Sequence, residues 1–214
     1  MSIIVPCITV EIEDEYHATI ERFQSFATRV QIDISDGEFA PVLLLQPDKL
    51  TWPSTWQVDI HVMAYHPEKY IDQLIKLRPS LIILHAEAKV DLKPLFAQIK
   101  QSGIKIGLAL LKTTVPSSVE EYIKVVDHVL IFSGDLGHYG GTASMMQLEK
   151  VRLVRAINPK VEVGWDGGVS VDNAFTLRQG GVDVLNTGGA VNKAADPVGV
   201  YNQLLAEANK EGVV

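Results

Sequence analysis

The stretch VQIDISDGEFAP, Val30 to Pro41, decides how the rest of the chain is read. Val30, Ile32 and Ile34 alternate with Gln31, Asp33 and Ser35. That alternation marks a β-strand, because successive side chains on a strand point to opposite faces. In a compact chain, a strand with a polar face needs either water or a task on that face.

Seven further runs share its richness in Val, Ile and Leu: SIIVPCI (2–8), QVDIHVM (57–63), SLIILHA (80–86), IKIGLAL (104–110), DHVLIFS (127–133), VEVGWDG (161–167) and VDVLNTG (182–188). Short apolar runs of this kind suit strands buried in a parallel sheet. Helical patterns lie between them. DEYHATIERFQSFA (14–27) follows the first strand, and PEKYIDQLIKL (67–77) follows the third with Pro67 suited to a first turn. VDLKPLFAQIKQSG (90–103) ends in Gly103, a helix stop, and Pro94 places its true start nearby. SSVEEYIKV (117–125), SMMQLEKVRLVRAI (144–157), SVDNAFTLRQGG (170–181) and DPVGVYNQLLAEANKEG (196–212) complete the set. The segment after the second strand, PVLLLQPDKLTWPSTW (41–56), has room for only a short helix. Strand followed by crossover, eight times in 214 residues, predicts an α/β fold with a closed (β/α)₈ barrel. An open doubly wound sheet is the structural rival. No compositional break or repeat divides the chain, so residues 1–214 are expected to form a single domain.

Composition narrows the function classes. Lys and Arg total 19 against 26 Asp and Glu, a net charge of -7, which argues against a nucleic-acid partner. A phosphorylated ligand would then be held mainly by backbone N–H groups. No apolar run is long enough to span a membrane, and the N-terminus turns acidic too soon for a signal peptide. The single cysteine, Cys7, fits a reducing cytoplasm.

Barrel chemistry gathers at the C-terminal ends of strands. Asp33, His61, His85, Ser133 and Asp166 all fall at such ends. Any one of them is ordinary structure; two carboxylates reaching one mouth from different sides are harder to dismiss. Glycines supply a second signal: GHYGG (137–141), DGG (166–168) and TGGA (187–190) follow the last three strands. Loops there commonly bind phosphate, glycine letting backbone N–H groups approach the anion.

These motifs, in this order, resemble those of the ribulose-phosphate 3-epimerase family over nearly the full length. VQIDISDGEFAP resembles its strand-two motif, DIHVM and LHAEA its next two, WDGGVSVDNA its Asp-Gly-Gly segment, and LIFSGDLGHYGG, more loosely, its strand-six loop. The resemblance implies a TIM barrel of the ribulose-phosphate-binding type acting on a sugar phosphate. It implies interconversion of ribulose 5-phosphate and xylulose 5-phosphate, and it allows a homo-oligomer. Asp33 and Asp166 match the two acid/base aspartates; with His61 they match three of four metal ligands. Cys7, His61, Gly141, Gly168, Gly188 and Gly189 match substrate and phosphate contacts. Inversion next to a carbonyl takes a proton from one face and returns one to the other. Two carboxylates can do both while a divalent cation (Zn, Mn, Mg or Fe) stabilises the enediolate.

Departures from the pattern are specific. Gln31 stands where the family's fourth ligand, a His, is expected; Ser35 replaces Met at the wall of the site; Cys7 replaces Ser; Trp165 replaces a small aliphatic residue. An amide oxygen suits a hard cation such as Mg or Mn better than Zn. Two competing readings are a sugar-phosphate-binding protein without turnover and a related sugar-phosphate lyase. The lyase reading lacks the expected lysine in DISDG.

Overall fold

In the computed structural model, which describes residues 1–211, eight parallel strands close into a barrel in chain order. They are β1 (Ile3–Ile8), β2 (Arg29–Ser35), β3 (Gln57–Met63), β4 (Leu81–His85), β5 (Lys105–Leu110), β6 (His128–Phe132), β7 (Glu162–Asp166) and β8 (Val184–Thr187). β1 pairs with both β2 and β8, which excludes the open sheet. The crossovers carry helices α1 (Glu13–Phe23), α2 (Glu68–Leu77), α3 (Lys93–Gln101), α4 (Glu120–Ile123), α5 (Glu149–Ile157), α6 (Val171–Gln179), α7 (Gly189–Asn192) and α8 (Pro197–Asn209). Between β2 and β3 there is only a 3₁₀ turn, Pro47–Lys49, as the Pro-rich segment leads one to expect. The four-residue α7 was not foreseen from sequence. The last candidate helix stops at Asn209, and its expected terminal Gly212 lies outside the described residues.

Alternation on β2 divides its two faces between two environments. Val30, Ile32 and Ile34 join the main core, where strands pack against Phe23, Leu74 and Leu204 of the helical layer. Each such side chain, fully buried, contributes about 1.5–3 kcal/mol. Gln31, Asp33 and Ser35 are equally buried on the other face. The register aligns Gln31 with Asp59 and Asp33 with His61, so these side chains rise together inside the barrel.

The interior is itself divided. Leu81, Ile83, Ala109 and Leu130, from β4, β5 and β6, form a small apolar cluster. Polar side chains line the remaining strands. Toward the N-terminal ends, Arg29 Nε donates to Asp59 Oδ2 at 2.8 Å, and its two other nitrogens donate to Glu162 at 2.9 and 2.8 Å. His128 Nδ1 meets Glu162 Oε2 at 2.7 Å. Gly164 leaves room for this ring, since a Cβ there would lie 2.5 Å from His128 Nε2. Burial alone would raise the Glu162 carboxyl, but bonds from Arg29 and His128 hold it well below the usual carboxylate range. This plug at the closed end is structural, leaving the C-terminal mouth for chemistry.

Candidate active site

At the mouth, the chain builds a cavity of ≈ 330 Å³ whose lining includes Cys7, Thr9, Asp33, Met63, Asp166 and Lys193. Gly141, Gly168, Gly188 and Gly189 line the same cavity. His61 is fully buried beneath, within reach of Asp33: its Nδ1 lies 3.1 Å from Asp33 Oδ1. Asp33, His61 and Asp166 offer ligand atoms that all lie within 4.8 Å of one another. Asp33, His61 and Asp166 therefore converge on one place, whereas Ser133 lies outside the cavity lining and accepts from Ser144 N–H at 2.7 Å.

Gln31 links the two carboxylates. Its Nε2 donates to Asp33 Oδ1 at 2.9 Å and to Asp166 Oδ2 at 2.6 Å. The other Asp33 oxygen accepts from Thr9 Oγ1 at 2.6 Å. The Asp166 carboxyl is pushed up, by burial first and by the Asp33 charge second. The Cys7 thiol is also pushed up by burial, then by Asp166 and Asp33, so it stays protonated against the cavity wall.

A relay behind His61 fixes which of its nitrogens carries the proton. His61 Nε2 lies 2.9 Å from His85 Nε2, and His85 Nδ1 lies 3.2 Å from Glu87 Oε2. Burial pushes His85 down to about 4, so its ring is neutral with one N–H. Glu87 is held below the usual range: burial would raise it, but His85 and other donors lower it. An ionised carboxylate only accepts, so His85 Nδ1 donates to Glu87 and its Nε2 accepts from His61 Nε2–H. In a neutral His61 ring, the Nδ1 lone pair then faces Asp33 Oδ1. Two lone pairs at 3.1 Å call for a proton or a cation between them. A ligating histidine whose other N–H is anchored is the arrangement metal sites use. On this donor set, Asp33, His61 and Asp166 fit a divalent cation.

Loops complete the enclosure. After β7, Asp166 leads into Gly167 and Gly168, both at positive φ. A Cβ on Gly168 would lie 2.1 Å from Ala143 N, so the loops after β6 and β7 meet backbone to backbone. Asn173 pins this turn, accepting from Ser170 N–H at 2.9 Å and donating to Gly168 O at 2.8 Å. Trp165, on the outer face, donates from Nε1 to Gly167 O at 3.0 Å. Across the mouth, Tyr139 of the glycine loop accepts from Thr9 N–H at 2.7 Å, drawing that loop over the cavity. Ser35 differs from expectation: it accepts from Leu44 N–H at 2.9 Å and bonds Val42 O, tying down a loop, while Met63 lines the cavity. Asp36 has a similar structural task. Its Oδ1 accepts from Glu38 and Phe39 N–H at 2.8 and 2.7 Å, setting Phe39 against His85 at 4.5 Å between ring centroids. Thr9, Glu87, Tyr139 and Lys193 were not foreseen as site residues.

The model of the family described as "Ribulose-phosphate 3 epimerase family" matches residues 3–192. The chain belongs to the ribulose-phosphate 3-epimerase family. It is 32% identical over 178 residues to the chloroplastic ribulose-5-phosphate-3-epimerase of Arabidopsis thaliana, a match covering 78% of this chain and 63% of that protein's length. With the ribulose-phosphate 3-epimerase of Helicobacter pylori it shares 30% over 179 residues, 80% and 82% of the two chains. Among solved structures, 3-hexulose-6-phosphate synthase from Salmonella typhimurium superposes with a TM-score of 0.69 at 11% identity, covering 97% and 98% of the chains. Orotidine 5'-monophosphate decarboxylase from Sulfolobus solfataricus superposes with a TM-score of 0.68 at 10% identity, covering 97% and 98%. These likenesses concern the fold alone, a closed (β/α)₈ barrel. Among the described residues, no helix is long and apolar enough to cross a membrane.

Proposed function

We infer that this chain epimerises a ketose phosphate at the carbon beside its carbonyl, interconverting ribulose 5-phosphate and xylulose 5-phosphate. One observation carries the reading: Asp33 and Asp166 reach one cavity from β2 and β7, joined by a single amide group. Asp33, held by Thr9 and Gln31 as an acceptor, takes the C3 proton from one face. Asp166, whose proton is favoured by burial, supplies one to the other face. Which aspartate acts first reverses with the direction of reaction. A divalent cation held by Asp33, His61 and Asp166 would polarise the carbonyl and take up oxyanion charge. Glycines 141, 168, 188 and 189 keep side chains away from the rim, where backbone N–H groups and Lys193 would receive the phosphate. Family membership supports the same chemistry.

The test follows ribulose 5-phosphate by NMR in heavy water. Xylulose 5-phosphate should appear, with deuterium entering at C3 of both sugars. Binding of ribulose 5-phosphate without exchange or epimer would refute turnover and leave a binding protein. Equal binding of unphosphorylated ribulose would refute the phosphate site.

A further inference from the structure

The Gln31 amide is oriented by its surroundings in a way that leaves its own oxygen stranded. Both hydrogens of Nε2 are spent on Asp33 Oδ1 and Asp166 Oδ2, at 2.9 and 2.6 Å. Oε1 is buried with no partner. The deeper interior positions nearby are short of donors. Asp59 pairs with Gln31 in register and lies two residues deeper than His61 on β3. Its Oδ2 accepts from Arg29, but its Oδ1 is buried without a donor. At the level of the cavity itself, Asn186, paired with Asp166, also has a buried Oδ1 without a donor.

We propose that Gln31 is a two-position switch, its amide turning over when a divalent cation enters between Asp33, His61 and Asp166. The last torsion of a glutamine is broad and two-fold, so the turn exchanges O for N with little displacement. It carries the N–H₂ inward, toward the layer where Asp59 Oδ1 lacks a donor. It carries Oε1 outward, toward two carboxylates. Without a cation, and with both carboxylates ionised, that orientation sets oxygen against oxygen; with a cation, Oε1 becomes a fourth donor. Orientation therefore follows occupancy. A neutral amide oxygen is a hard ligand, so the completed site prefers Mg²⁺ or Mn²⁺ to Zn²⁺. The inference rests on the three-residue cation site in the proposed function, but not on turnover.

The experiment uses the full-length protein labelled with ¹⁵N at glutamine side-chain amides, with the Gln31 signal assigned by its loss in Gln31→Met. Mg²⁺ is titrated into chelator-treated protein, and affinity is measured in parallel by calorimetry. The Gln31 amide pair should shift saturably, at the affinity calorimetry gives. Gln31→Met should weaken Mg²⁺ by about tenfold or more, the usual scale for losing such support. Asp59→Asn leaves Asp33, His61 and Asp166 untouched and reaches the cation only through Gln31. Arg29 would hold its amide oxygen, leaving an N–H₂ where the orphan acceptor was. That variant should weaken Mg²⁺ by about tenfold too, by favouring the inward Oε1. Absence of Mg²⁺ binding, binding with the Gln31 amide unmoved, or unchanged affinity in both variants would overturn the switch. If one variant fails to fold, the Mg²⁺ affinity of the other decides. Epimerisation is assayed separately, so loss of the switch and loss of the catalytic reading give different results.

Discussion

Glu87 offers the sharpest test of how the site is wired, because it touches neither cavity nor cation. Its Oε1 accepts from Leu111 N–H at 2.9 Å and from Thr114 Oγ1, and its Oε2 accepts from His85 Nδ1. In Glu87→Gln the two donors at Oε1 keep the amide oxygen where it is, so the N–H₂ replaces Oε2. His85 Nδ1 must then accept, and its proton moves to Nε2. His61 Nε2 becomes the acceptor across 2.9 Å, and the His61 proton moves to Nδ1. That nitrogen now donates to Asp33 Oδ1 and offers a cation no lone pair. Loss of an outer partner commonly costs 10–100-fold in metal affinity, or about 1.4–2.8 kcal/mol. Calorimetric titration with Mn²⁺ measures the affinity, and ¹⁵N shifts of His61 and His85 in metal-free protein report the tautomers. A folded Glu87→Gln protein with affinity within about twofold of wild type and an unchanged His61 tautomer would refute the relay.

Asp33→Asn and Asp166→Asn should each lower epimerisation by about 10²–10⁴-fold, the usual worth of a positioned acid or base. One-sided deuterium wash-in at C3 should survive in one of them, and full activity in either would remove the two-carboxylate assignment. Glu162 sits below its ordinary range when folded, so its contribution to stability is present above the unfolded value and fades as pH falls through the folded one. Denaturant curves of wild type and Glu162→Gln should therefore converge as pH drops from neutral toward strong acid; a constant gap would dissociate the plug from that charge. Gly168→Ala meets both a φ of 71° and a Cβ position 2.1 Å from Ala143 N. It should cost at least about 1–3 kcal/mol in urea unfolding, the range for such backbone strain before any clash is added.

Sequence reading reached the barrel because parallel strands buried on both sides write themselves as apolar runs, and the strand ends in SLIILHA or VEVGWDG differ from observation by a residue or so. Asp33, His61 and Asp166 were legible for a related reason: each is polar at the end of such a run, where apolar neighbours make it conspicuous. Thr9 and Tyr139 were not. Their bond joins the residue just after β1 to the β6 loop, 130 positions apart, and nothing local to either announces it. Glu87 was hidden inside LHAEA, where a glutamate just after a strand looks like any solvent-facing turn residue. Only the spacing of His61, His85 and Glu87 in space gives it a task. Ser35 failed in the opposite way. Its place on the polar face was right, but a short hydroxyl at the strand's last residue bonds the backbone folding back beside it before it can reach the cavity.

The polar face of β2 is best understood through charge. Asp33, buried, and Asp166, half-buried, face one cavity, and like charges there repel more strongly than in open water. A proton, a cation or an oriented dipole must offset the second charge. The structure holds all three possibilities in one set of atoms: Asp166 is pushed toward its protonated form, the His61 lone pair and two carboxylates converge as cation donors, and the Gln31 amide points its positive end at both aspartates. The proposed epimerisation would require the same flexibility, since one carboxylate gains a proton as the other gives one up. An interior that tolerated only one charge state would trap the reaction halfway. Gln31, neutral and able to face either way, lets the floor of the cavity stabilise two charges, one charge with a proton, or two charges with a cation.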